Sequence, residues 1–167
     1  PGQVREVLGL PRFQTLLAWN LEMPPLDQNA VRMALAKAVN LESFSEETST
    51  SFFEPVESLF FPGSAFVREA MPLPLQDLRG AEKLLAGAGY PFDQERGVRL
   101  EKGRDPLELR LTVNEGDAGQ IRIAEALRDQ WAALGILVRV ERLPWETILN
   151  ERLLTRDFEG VLLSWEI

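Results

Sequence analysis

Five segments with alternating hydrophobic periods follow one another from Leu107 to Trp165, and this succession restricts the fold more than any other feature of the chain. Leu107, Leu109, Leu111 and Val113 alternate with Glu108, Arg110 and Thr112, the period of a strand with one buried face. After the sequence NEGDAG, Ile123, Leu127, Trp131 and Leu134 share one face of a helix, which Gly135 ends. Ile136 to Arg142 alternates again as a strand. Pro144 suits the first turn of a second helix, with Trp145, Ile148, Leu149 and Leu153 on one face. Phe158 to Trp165 then forms a last strand. The order strand, helix, strand, helix, strand implies a mainly parallel sheet with right-handed crossovers, an α/β fold.

Upstream, Phe13 to Asn20 is apolar, aromatic and free of Gly and Pro, as a buried strand requires. Asp27 is placed to cap a helix with Val31, Ala34, Leu35 and Ala38 on its inner face, and Asn40 to close it in a left-handed turn. From Leu41 to Leu75, dense Pro, Gly and Ser argue for loop. Phe52, Phe53, Phe60, Phe61 and Phe66 point to an ordered excursion packed on the core, and Glu46, Glu47, Glu54 and Glu57 to a solvated face. Asp77 caps a further helix with Leu78, Ala81, Leu84, Leu85 and Ala88 inward, terminated by Gly89. Tyr90 to Pro106 reads as a turn and short hairpin around GVRLEKG.

At 167 residues the chain matches one domain with its own core. Its net charge of −8, with no basic stripe, disfavours nucleic acid as a partner. Only three of the 18 cationic residues are lysine. Arginine forks suit carboxylate contacts, although genome-wide codon bias explains the same count. Absence of His and Cys removes the usual zinc and copper ligands and leaves the redox compartment open. No stretch approaches the ~20 apolar residues of a membrane-spanning helix. Pro1 opens no apolar signal-peptide region, so a secreted protein would be represented here by a mature or excised segment.

Catalytic chemistry finds little support. Without His or Cys no Ser-His or Cys-His pair can be built, and no G-x-S-x-G elbow surrounds a serine. Carboxylates are plentiful, but no spacing selects a pair. NEGDAG before a helix reads as a plain strand-to-helix turn in preference to an anion-binding loop. Acidic pairs such as Glu46-Glu47 lack the order of a calcium loop. No cofactor or metal is expected. Trp145 and Arg152, seven residues apart, can share one side of their helix and offer an aromatic platform and a cation to one space. By pattern alone, a core tryptophan and a surface arginine remain the favoured reading.

Several segments resemble the extracellular solute-binding proteins of the oligopeptide, dipeptide and nickel importer class, solute-binding protein family 5. LDQNAVRMALAKAVN from Leu26 resembles the family's Arg-containing helix with its A-[IV]-[DN] turn. DLRGAEKLLAGAGY resembles its A-x-x-L-L-x-x-A-G-Y segment through Ala81, Leu84, Leu85, Ala88, Gly89 and Tyr90. Residues 121–167 resemble a run with an amphipathic helix, L-G-I-x-V (Leu134, Gly135, Ile136, Val138), a helix opened by Trp145 and a strand ending in Trp165. Order and spacing over roughly residues 13–167 carry the resemblance, and the stretch 41–75 diverges.

The resemblance implies one lobe of a type II periplasmic-binding-protein-like fold, a mixed, mainly parallel sheet flanked by helices, taken from a two-lobed protein. It implies a non-enzymatic, periplasmic or extracellular protein that closes around a small molecule or peptide and delivers it to the membrane permease of an ABC importer. Residues at the positions of Trp145, Arg152 and Trp165 line the cleft in peptide-binding members. Here the tryptophans would be walls and Arg152 a cation for a ligand carboxylate. Peptide binders usually carry an Asp shortly after the last Trp, whereas Trp165 is followed by Glu166 and Ile167, so peptide, nickel complex, opine and sugar stay open as ligands. The rival role is a solute-binding-like sensor or interaction module attached to a regulator.

Overall fold

The computed structural model describes residues 13–44 and 75–166 of the chain. Strand β1 (Phe13–Trp19) opens it, as the Pro-free apolar run implies. Helix α1 (Asn29–Ala38) buries Val31, Ala34, Leu35 and Ala38, the four positions of its apolar face. Both of its ends differ from the expectation. Gln28, and not Asp27, is the N-cap, because Arg32 reaches back to the Leu26 and Asp27 carbonyls at 2.7 and 3.0 Å and holds them in the preceding loop. At the other end Val39 leaves in an extended conformation, and Asn40 makes no left-handed turn. The Asn40 N–H donates instead to Gln130 Oε1 at 2.7 Å, so it needs no helical carbonyl.

The phenylalanine-rich excursion expected after Leu41, with its acidic residues, lies largely outside the described residues. Helix α2 (Leu78–Gly87) is capped as expected, with Asp77 Oδ1 accepting from the Gly80 N–H at 2.8 Å. Lys37 on α1 reaches the same Asp77 carboxylate at 3.0 Å and ties the two helices together. Gly89, at φ +92°, releases the chain from α2 in a conformation that a Cβ would oppose. Strands β2 (Phe92–Asp93), β3 (Val98–Glu101) and β4 (Asp105–Pro106) make a small antiparallel sheet, one strand more than a hairpin.

Strand β5 (Glu108–Asn114) leads through helix α3 (Ala118–Ala132) to strand β6 (Leu137–Leu143). Gly135 makes this return possible. Its φ is +77°, and a Cβ there would lie 2.6 Å from the Phe92 ring. A single helical turn, α4 (Trp145–Thr147), capped by Pro144, runs into a π-helical stretch (Ile148–Leu153) and then to strand β7 (Gly160–Glu166). The main sheet has the order β1-β7-β5-β6. β5 pairs in parallel with both β6 and β7, while β1 closes the other edge antiparallel to β7. The sheet is therefore mixed and mainly parallel, as the alternation implied.

α3 covers one face of this sheet and sets Ile123, Leu127 and Trp131 against Leu109, Leu111, Val113 and Leu162. Trp131 is 1% exposed, and its indole N–H donates to the Leu35 carbonyl at 3.0 Å, linking α3 to α1. Trp19 packs tilted against it, with centroids 5.8 Å apart. The Trp19 ring lies over its cross-strand partner Gly160, where an added Cβ would stand 2.5 Å from it.

Candidate ligand-binding site

The two crossovers of the parallel strands lie on opposite faces of the sheet. α3 covers the face that carries Leu109, Leu111 and Val113, and the π-helical crossover covers the face of Thr112 and Glu141. Where neighbouring strands β5 and β6 end, their connections thus leave in opposite directions. Open α/β sheets bind ligands at such a switch point, beyond the carboxyl ends of the strands.

Trp145 and Trp165 both stand at this edge. Leu143 at the end of β6 is level with Asn114 at the end of β5, and Trp145 lies two residues further on. Thr112 is level with Val161. Continued at that register, Leu163 is level with Asn114, and Trp165 is again two residues further on. The strands that carry them are separated by the width of β5, roughly 10 Å from two inter-strand spacings. The side chains are 48% and 38% exposed, so neither is the core tryptophan that pattern alone favoured; Trp131 holds that place.

Arg152 is placed differently. The shared face expected for Trp145, Ile148, Leu149 and Leu153 assumes regular α-helical winding, whereas the crossover closes with the Leu154 N–H donating to the Leu149 carbonyl five residues back. Ile148 is fully buried, Leu149 is 38% exposed, and the face is broken. The Arg152 guanidinium lies inward over the sheet. Nε donates to Glu141 Oε2 at 3.0 Å and Nη2 to Glu141 Oε1 at 2.9 Å, while Nη1 reaches Asp157 Oδ2 at 3.2 Å. Asp157 also accepts from Arg110 at 2.9 Å, and Glu141 from the hydroxyl of fully buried Thr112 at 3.2 Å. The hydrogen-bonded Arg152 holds the Glu141 carboxyl below its usual range despite burial, and Glu141 in turn raises the Arg152 guanidinium. The structure thus brings the two tryptophans to one edge and sets Arg152 deeper, in a charge network.

The NEGDAG sequence is a strand-to-helix turn. Asp117 Oδ1 accepts from the Gly119 and Gln120 N–H groups at 2.9 and 3.0 Å, taking the donors that an anion would use. Among the described residues no group of His, Cys, Asp or Glu converges as a metal site, and no helix is long and apolar enough to cross a membrane. A cavity of about 300 Å³ lies between the sheet and α1 and α3. Among the described residues that line it, Thr15 is the one with a hydroxyl, amide or charged side chain, too little to orient a polar ligand.

The model of the bacterial extracellular solute-binding proteins, family 5 Middle, matches residues 8–167. The chain belongs to this family. Its relatives include the oligopeptide-binding protein OppA of Lactococcus lactis subsp. cremoris, 30% identical over 116 residues, which are 68% of this chain and 19% of that protein. The nickel-binding periplasmic protein of Escherichia coli is 27% identical over 128 residues, 77% of this chain and 24% of that one. The fold is that of AppA from Bacillus subtilis, solved in complex with a nonapeptide, with a TM-score of 0.84 at 21% identity over 95% of this chain and 32% of that one. NikA from Brucella suis, solved with Fe(III)-EDTA, gives a TM-score of 0.82 at 21% identity over 92% of this chain and 30% of that one. The chain therefore spans about a fifth to a third of the length of these family 5 proteins, and its lobe has the expected family fold. The family is one of binding proteins.

Within that family lobe, the residues that sequence reasoning missed are Glu141, Asp157, Arg110 and Thr112. Glu141 and Arg110 read as ordinary outward members of alternating strands. No local signal tells that the crossover covers that face, and Asp157 is a loop residue with no periodicity at all.

Proposed function

We propose that this chain is the ligand-facing part of one lobe of the substrate-binding subunit of an ABC importer for peptides, acting in the periplasm or at the cell surface without catalysis. The pairing of exposed Trp145 and Trp165 at the switch-point edge carries this reading. Aromatic rings left half in solvent at a strand edge suit the walls of a cleft that a second lobe completes. Arg152, set deeper in its charge network, supplies the cation for a ligand carboxylate. Support comes from similarity to oligopeptide-binding proteins and to an ABC transporter substrate-binding protein from Sinorhizobium meliloti, with a TM-score of 0.76 over 92% of this chain.

Ligand contacts both lobes only when they are closed, so binding shifts the open–closed equilibrium by that difference in affinity, and the closed form engages a membrane permease. The lobe alone should bind weakly. Native mass spectrometry of the full-length gene product, purified gently from its source, tests the assignment. A retained mass of a few hundred daltons that fragments as amino acids is expected, and a retained non-peptide mass overturns peptide as the ligand.

A further inference from the structure

We propose that Gln120 is a positioning residue for Trp165: by bridging β5 to the end of β7 it sets the spacing of the two aromatic walls of the cleft. This rests on the reading of Trp145 and Trp165 as ligand-lining residues.

β7 outruns its pairing with β5. The two strands pair at Leu111↔Gly160 and Thr112↔Val161, and β7 then continues to Glu166 against β1. In a strand the N–H groups of alternate residues point to the same side, and the Arg110 N–H meets Glu159, beside the start of β7, at 2.6 Å. The Asn114 N–H therefore also faces β7. Its acceptor is Gln120 Oε1, at 3.1 Å. Through Nε2 the same amide donates to Ser164 Oγ at 2.9 Å, one residue before Trp165. Gln120 thus spans the gap where the ladder between β5 and β7 ends. Asp117 Oδ1 holds the Gln120 N–H at 3.0 Å, and Ser164 Oγ lies 2.9 Å from Thr15 Oγ1, so the bridge joins β5, α3, β7 and β1. Gln120 is 5% exposed, and water does not readily replace the contacts of a polar group so buried. Successive side chains of a strand point to opposite faces, so the bridge grips β7 from the α3 side and leaves the Trp165 ring free on the other. The wall at Trp145 follows a strand that pairs with β5 from Glu108 to Asn114. The wall at Trp165 is tied to β5 at this edge through Gln120.

The test uses the full-length protein, labelled with a fluorinated tryptophan and titrated with a pool of short random-sequence peptides. Gln120→Met keeps the length of the side chain and loses both hydrogen bonds. The fluorine resonance of Trp165, identified by its loss in Trp165→Phe, should shift or broaden in Gln120→Met, while that of Trp131 in the core stays in place. Affinity for the pool should fall roughly two- to tenfold, the range of an ordinary hydrogen bond. In the Trp165→Ala background the same change should cost almost nothing, because its effect passes through Trp165. Ser164→Ala cuts the bridge at β7 and leaves the Asn114 N–H satisfied. It should repeat both effects more weakly, and it decides the matter if Gln120→Met fails to fold. An equal loss of affinity with and without the Trp165 side chain overturns the proposal, as does an unmoved Trp165 resonance in both variants. If the pool does not bind wild type, the peptide reading fails, and the resonance alone decides whether Gln120 positions Trp165.

Discussion

Glu141 grips Arg152 by two donors, Nε at 3.0 Å and Nη2 at 2.9 Å, and so ties the π-helical crossover to the strand that precedes it. Ile148 is the one fully buried side chain of that crossover, so this ion pair is the second anchor of the segment that begins at Trp145. Removing either partner strands the other in a partly desolvated place. Glu141→Ala and Arg152→Ala should each cost about 1–3 kcal/mol, and the double variant less than their sum. Urea denaturation of the full-length protein and its variants in a double-mutant cycle checks this, and strict additivity would show the pair to be uncoupled.

The exposed tryptophans should behave oppositely to the buried one. Trp145→Ala and Trp165→Ala should leave stability within about 0.5 kcal/mol, as for most surface changes. Each should weaken binding of the retained ligand about tenfold or more, as loss of an aromatic anchor does. Thermal melts alongside ligand titration separate the two effects.

Trp131 closes the core and donates to Leu35 at 3.0 Å. Trp131→Ala should cost about 3–5 kcal/mol. Trp131→Phe should cost less, since it keeps most of the buried ring and loses the N–H contact. Equal losses would mean that the hydrogen bond outweighs the packing.

Two glycines should respond with opposite signs. At Gly160 a Cβ would lie 2.5 Å from the Trp19 ring and 3.2 Å from Leu111, so Gly160→Ala should destabilise by about 1–3 kcal/mol, the range for overpacking. At Gly87, in the last turn of α2, no atom of the described residues lies within 4 Å of an added Cβ. Gly87→Ala should therefore stabilise by about 0.5–1 kcal/mol. Melting temperatures of the two variants decide it.

Acid should loosen the lobe through three carboxylates. The backbone N–H of Gly80, then Lys37, lowers Asp77; Arg152 lowers Glu141; Arg110 lowers Asp157. In each case the folded state keeps its charge to lower pH than the unfolded chain, whose carboxyls titrate near 4. The stabilisation is complete above that range and is lost as pH falls through the depressed folded values, because the unfolded state takes up protons first. Denaturant midpoints measured from pH 6 down to pH 3 should fall, and less steeply in Glu141→Gln, which lacks one of the three groups.

Much of this architecture was legible because its signals are local. The alternation at Leu107 to Val113 is a period that a single strand imposes on its own residues, and all four apolar positions are buried. Asp77 caps its helix with a side chain that reaches three residues ahead, within the span that a sequence pattern records. Family likeness only singled out Trp145 and Trp165, and their shared edge emerges from the register of three strands.

Local periodicity set the series of elements and the inward face of most of them, since the 3.6 and 2.0 periods are properties of short segments. Long-range packing was needed to lay β1 antiparallel beside β7, to turn Arg152 away from the Trp145 edge through a π-helical stretch, and to gather Glu141, Asp157 and Arg110 into one charge network with it. Those outcomes depend on which distant groups are brought within hydrogen-bonding reach. Ion-pair partners far apart in sequence are selected by distance in the folded chain, and no periodicity along it carries that information.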